Sequence, residues 1–200
     1  RTVNFARQHT SELRTAFSMT IPLSTPKPPA PRLKGERRKA PSRPLLQLNA
    51  SLTHVFTSTS TIRETLGTVD LLAGGAVGLF GGRARNSADA SVSLSDRGIG
   101  IRSQFTWRGP SYLVTGTTAA PDRLTFAPYG KLDVKVFADL AQLFGTSPVT
   151  KGARVTIGVE NLTNSRQQVR NQAGITPIGY QSVYRDPIGR LVTIELRKAF

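Results

Sequence analysis

Cysteine is absent from the 200 residues, which excludes a disulfide framework and any thiolate metal site. Histidine occurs only at His9 and His54, and acids are scarce, with 12 Asp and Glu against 27 Lys and Arg. A metal centre would need well-placed carboxylates that the pattern does not offer. Nor is there a window near eighteen consecutive apolar residues, and hydrophobic content is 38%. That excludes a transmembrane helix but not a transmembrane β-barrel, whose strands are apolar on one face only. The start, Arg1-Thr-Val-Asn-Phe5, has no initiator Met and no secretory pattern, so the chain reads as a fragment or a mature piece.

What is abundant is positive charge, formally +15, and this raises nucleic-acid binding as a hypothesis. Its distribution argues against that reading. Lys27, Arg32, Lys34, Arg37, Arg38, Lys39 and Arg43 face a single acid, Glu36, among Pro26, Pro28, Pro29, Pro31, Pro41 and Pro44. Such a stretch builds no core and reads as a solvated, extended connector over 27–44.

Elsewhere the sequence alternates. Side chains of a strand point to opposite faces in turn, and seven segments place apolar residues at every second position. They lie near 12–22, 45–57, 87–95, 98–108, 131–143, 153–162 and 189–200. In the first, Leu13, Phe17, Met19 and Ile21 oppose Glu12, Arg14, Ser18 and Thr20; in the last, Val192, Ile194, Leu196 and Phe200 oppose Thr193, Glu195 and Arg197. An antiparallel meander follows. Several of these runs reach nine to twelve residues, against about five or six in a typical soluble strand and about nine to eleven in a tilted membrane-crossing one.

The connectors strengthen the distinction. Ser95–Gly98 and Gly145–Gly152 are short, whereas 57–87, 109–130 and 163–188 are long. Alternation of short turns and long loops is what an outer-membrane barrel has. If the last strand descends to the periplasmic rim at Phe200, the three long links all fall outside. Only the proline-rich connector breaks the rule.

Residues 155–164, Val-Thr-Ile-Gly-Val-Glu-Asn-Leu-Thr-Asn, followed by Gly179-Tyr-Gln-Ser-Val-Tyr-Arg-Asp-Pro-Ile-Gly-Arg190 and the closing strand, resemble the C-terminal region of TonB-dependent receptors of the Gram-negative outer membrane. The residues that carry the likeness are Val159, Asn161, Leu162, Tyr180, Asp186, Pro187 and Gly189. Thr163 and Asn164 depart from the family's Phe and Asp. The likeness is strong over 150–200, fainter back to about 45, and rests on strand alternation alone before that.

The resemblance implies the last strands of a 22-stranded barrel, without the plug, in a receptor for active uptake of a scarce large ligand such as a ferric siderophore. It implies a set of partners: outer-membrane lipid, the barrel-assembly machinery, the remaining strands and plug, and TonB through an N-terminal part not in this sequence. Val192, Ile194, Leu196 and Phe200 are similar to the barrel-insertion signal, although Lys198 stands where an aromatic is commoner. External aromatics contact ligand in such receptors, which nominates Tyr180 and Tyr184.

No residues have the arrangement of a catalytic site, so no enzyme activity and no cofactor are expected. Gly74–Gly82 lacks the Gly-Lys-Ser/Thr of a phosphate loop and reads as an external loop. His54 reads as an interfacial imidazole, and Trp107, Tyr112 and Tyr129 as girdle or loop aromatics. Arg102, Arg108, Arg154, Glu160, Glu195 and Arg197 read as lumen-facing charges that pair across strands or with a plug. The alternative is a soluble basic β-domain binding nucleic acid, which requires basic residues beside exposed aromatics on one sheet face. A soluble sandwich requires the apolar faces to be covered by a second layer.

Overall fold

A computed structural model describes residues 7–24, 44–61, 67–75, 82–117 and 119–199. The connector residues 27–43, the loop residues 76–81 and Phe200 lie outside them. The protein is all-β, with antiparallel strands in a meander. In chain order the strands are β1 (Arg7–Pro22), β2 (Leu45–Thr61), β3 (Thr68–Asp70), β4 (Asn86–Asp96), β5 (Ile99–Arg108), β6 (Ser111–Gly116), β7 (Pro121–Phe126), β8 (Tyr129–Asp139), β9 (Ala153–Glu160), β10 (Val169–Arg170) and β11 (Leu191–Lys198). Two short helices, α1 (Leu140–Phe144) and α2 (Ser182–Arg185), punctuate the connections.

The main sheet runs β1-β2-β4-β5-β8-β9-β11, with β3 added beside β2. Every main strand pairs with the next one in that order, so each long strand lies beside its sequence neighbour among the long strands. The register brings the apolar positions into rows. Ile21 lies opposite Leu46, then Leu94, Ile101, Val136, Ile157 and Ile194 in succession. A second row runs Met19, Leu48, Val92, Ser103, Val134, Val159 and Val192. Directly opposed residues share a face, so one face is apolar across the sheet except at Ser103, and the other is polar except at Phe137.

The turn between β4 and β5 is tight. Asp96 is opposite Ile99, and the two residues between them, Arg97 (φ 42°) and Gly98 (φ 86°), both have positive φ. That is the two-residue turn whose twist matches a hairpin. The fifth alternating run, read to 143, stops at Asp139. There the carboxylate accepts from the Gln142 backbone N–H at 3.2 Å, capping α1; Leu140 and Leu143 fit either period, and the cap selects the helix.

The opposite end carries what alternation did not reveal. β6 and β7 form a hairpin within the link 109–130, and β10 adds two residues of the link 163–188 to its edge. Leu113, Leu124, Phe126 and Val169 make its buried core, with Tyr180 packed against them.

Candidate functional site

Two surfaces carry functional character: the apolar face of the main sheet and the cluster of long loops at one end. The apolar face has no second layer over it among the described residues. Phe17, Leu52, Ile101, Phe105, Val136 and Ile157 are all exposed, and Ile194 at the β11 edge is 76% exposed. The buried apolar core is instead concentrated in the loop hairpin. A contiguous apolar surface of this extent marks an interaction face, with lipid or protein.

The rims of this face are set by particular residues. At the loop end the apolar pattern stops near Leu13 and Phe56, where a bulge shifts the β1–β2 register between Ser11 and Glu12. Above it Thr57, Ser58, Thr59, Ser60 and Thr61 are polar on both faces. His54 sits at that rim; its Nδ1 is 2.7 Å from Asn86 Oδ1 and its ring meets Phe56 edge-on at 4.8 Å. Trp107 is opposite Ala88 and Gly130, on the apolar face at the same end. At the turn end Lys198 falls on the apolar parity but donates from Nζ to the Pro148 carbonyl at 3.0 Å, carrying its charge to the turn.

Val192, Ile194 and Leu196 project from β11 on the apolar face opposite Val159, Ile157 and Val155. The motif residues are gathered at the loop end. Asn161, 1% exposed and at φ 52°, donates from its backbone N–H to Asp133 Oδ1 at 2.7 Å. Its side chain closes a turn on both sides, donating to Ser165 O at 2.9 Å and accepting from the Ser165 N–H at 2.9 Å. Leu162 donates to Leu132 O at 2.7 Å. Asp186 accepts from the Gly189 N–H at 3.0 Å; a side chain at Gly189 (φ 64°) would strike Asn164 and Arg166. These residues position backbone, and Pro187 sits in the turn between the two partners.

Of the nominated aromatics, Tyr180 packs edge-on against Phe126 at 5.5 Å with the Arg185 guanidinium 4.7 Å from its ring centre. Tyr184, on α2, is 66% exposed. Tyr180 lines a depression of about 400 Å³ together with Arg166, Gln167, Arg170 and Gln181. Its polar lining is rich in donors and holds no carboxylate.

Sequence reasoning missed Arg83, and it named Tyr112 only as a girdle or loop aromatic without its contacts. The Arg83 guanidinium donates to Ser58 Oγ at 2.9 Å, Thr10 Oγ1 at 3.2 Å and Glu12 at 3.0 Å, tying the 67–85 loop to the tops of β1 and β2. Tyr112 lies against Gly74 and Gly82, with Arg123 4.0 Å over its ring, and Val114 N–H donates to Gly74 O at 2.8 Å. The three long loops are therefore knit together. Tyr112 was readable as an alternating aromatic beside Val114; Arg83 left no local signal.

On the polar face Arg108 pairs with Asp89 at 3.4 Å and Lys131 with Asp133 at 3.5 Å. Arg102, Glu160, Glu195 and Arg197 form no ion pair among the described residues, and Arg154 lies over the Phe137 ring at 5.2 Å. Among those residues there is also no His/Asp/Glu cluster suited to a metal ion, and no helix is long and apolar enough to cross a membrane.

Compared with known proteins, the chain matches no family model, no curated protein and no solved structure.

Proposed function

We propose that this chain is the C-terminal wall of a TonB-dependent outer-membrane receptor, with the apolar face against lipid, the polar face toward the lumen and the knitted loops outside as a ligand-capture surface. The observation that carries the reading is the set of apolar rows across seven antiparallel strands, broken in the second row only by Ser103, with no covering layer among the described residues. In water such a face is unfavourable by about 25 cal/mol per Å² of apolar surface, and acyl chains remove that cost. The main-sheet strands β4, β5, β8, β9 and β11, of eight to eleven residues, suit the roughly 25 Å apolar band of such barrels. The longer β1 and β2 run past it into polar sequence. Among the described residues the sheet has two open edges, at β1 and β11. Lipid cannot satisfy their backbone groups, so transport requires the remaining strands, and uptake of a scarce large ligand such as a ferric siderophore belongs to the complete receptor.

Trp107, the single tryptophan, supplies the test. In proteoliposomes of the full chain its fluorescence is quenched by brominated phospholipid and little by aqueous iodide. Quenching by iodide alone, or recovery of the chain in the soluble fraction of cells producing it, overturns the proposal.

A further inference from the structure

The two links that meet at the loop end, residues 109–130 and 163–190, hold Arg123, Arg166, Arg170, Arg185 and Arg190 but no lysine or glutamate, and their only acids are Asp122 and Asp186. Both acids are engaged with backbone. Asp122 Oδ1 accepts from the N–H groups of Arg123 at 2.9 Å and Gln172 at 3.4 Å, and Asp186 Oδ1 accepts from that of Gly189 at 3.0 Å. All five arginines are exposed, and none of their guanidinium groups makes an ion pair or hydrogen bond among the described residues. Stacking on Tyr112 and Tyr180 holds Arg123 and Arg185 in place, which lowers the entropy lost when a partner binds. Arg170 lies opposite Thr125, two residues along β7 from Arg123, so these two are diagonal neighbours about 7–8 Å apart on one face.

Beside the arginines stand apolar side chains that the loop packing leaves out. Ile175, Ile178, Val183, Tyr184 and Ile188 are 63–70% exposed, although the adjoining hairpin buries Leu113, Leu124, Phe126 and Val169. Val183 lines the same depression as Arg166, Arg170 and Tyr180. These residues lie in a link beyond the rim of the main sheet, where the receptor reading puts water and not acyl chains. Exposed Arg and Tyr with apolar neighbours, and few Lys, Glu or Asp, is the composition of a protein-binding patch. The guanidinium fork matches a carboxylate with two parallel hydrogen bonds. A site for a small anion alone has no use for the apolar part.

We infer that the loop-end surface of β7 and residues 163–190 docks an acidic protein, whose carboxylates take Arg123, Arg166, Arg170 and Arg185 while its apolar side chains cover Ile178, Val183 and Tyr184. The inference goes beyond the receptor reading, which asks only for a transported ligand, and does not depend on it.

The test uses the full chain in neutral phospholipid vesicles, with binding to protein-free vesicles subtracted, and a fluorescent peptide of Glu, Tyr and Ser of roughly 16 residues, at most about 55 Å long when extended. Comparison peptides carry Gln for Glu or Ser for Tyr, and tripolyphosphate serves as a small polyanion. The Glu–Tyr peptide binds, more weakly at physiological than at low salt, and either replacement weakens it about tenfold. R170Q/R185Q and I178S/V183S each weaken it about tenfold as well, whereas K151Q, in the exposed β8–β9 turn, leaves it unchanged. R166E/R170E exchanges the preference for a Lys–Tyr peptide, which separates lost charge from lost folding. Equal binding of the Gln peptide, or a Kd unmoved by R170Q/R185Q, overturns the inference. So does a Kd unmoved by I178S/V183S, or tripolyphosphate binding that falls with R170Q/R185Q while no peptide binds, since either leaves a small-anion site only. Peptide binding by a chain that fails the Trp107 quenching test would remove the receptor reading and leave this surface standing; quenching by brominated lipid without peptide binding would do the reverse.

Discussion

Asn161 shows how one side chain fixes a loop. It is buried, has positive φ and satisfies Ser165 on both its donor and acceptor sides. Asn tolerates the left-handed region better than other residues with a Cβ, and removing its amide strands the Ser165 N–H. Asn161→Ala is expected to lower stability by about 1–3 kcal/mol, read as a lower midpoint in urea unfolding of the chain in micelles, whereas Asn164→Ala, exposed and with no side-chain hydrogen bond of its own, costs less. Arg83→Met removes three hydrogen bonds that hold the 67–85 loop to β1 and β2. Limited proteolysis is expected to cut that loop several-fold faster in the variant, with the β8–β11 region unaffected. Equal cleavage rates would show that the clamp does not hold the loop.

At the scale of the element, parity is the variable to test. Ile157 lies within an apolar row, between Val136 and Ile194, and its neighbour Thr156 points to the polar face. Ile157→Lys is expected to destabilise the lipid-inserted chain by about 2–4 kcal/mol, and Thr156→Lys by much less, measured by urea titration in vesicles; equal costs would mean that the two faces see the same medium. The long strands were legible because period-two patterning is strong wherever one face is apolar and the other polar. It failed at β6, β7 and β10 because these are short and draw their burial from one another: Leu113, Leu124, Phe126 and Val169 come from two separate links. It also overran β8, since Leu140 and Leu143 suit a helix equally and only Asp139, as a cap, decides. In the loop-end site, Asn161, Asp186 and Gly189 could be picked out as motif residues, but their partners Asp133 and Ser165 depend on the register of β8 against β9. Arg83 was unreadable because its three acceptors lie 25 residues or more away in sequence.

For the whole molecule the central claim is that the rows from Ile21 to Ile194 and from Met19 to Val192 face acyl chains, with the polar rows turned away from them. The absence of cysteine makes this directly measurable, since any introduced thiol is the only one present. Single cysteines placed along β11 from position 192 to 197 sample both faces of one strand in turn. In vesicles holding the full chain, labelling by a membrane-impermeant maleimide is expected at 193, 195 and 197 and not at 192, 194 and 196, with a hydrophobic maleimide giving the opposite pattern. Labelling without a period of two, or protection of 193, 195 and 197 in its place, would contradict the account.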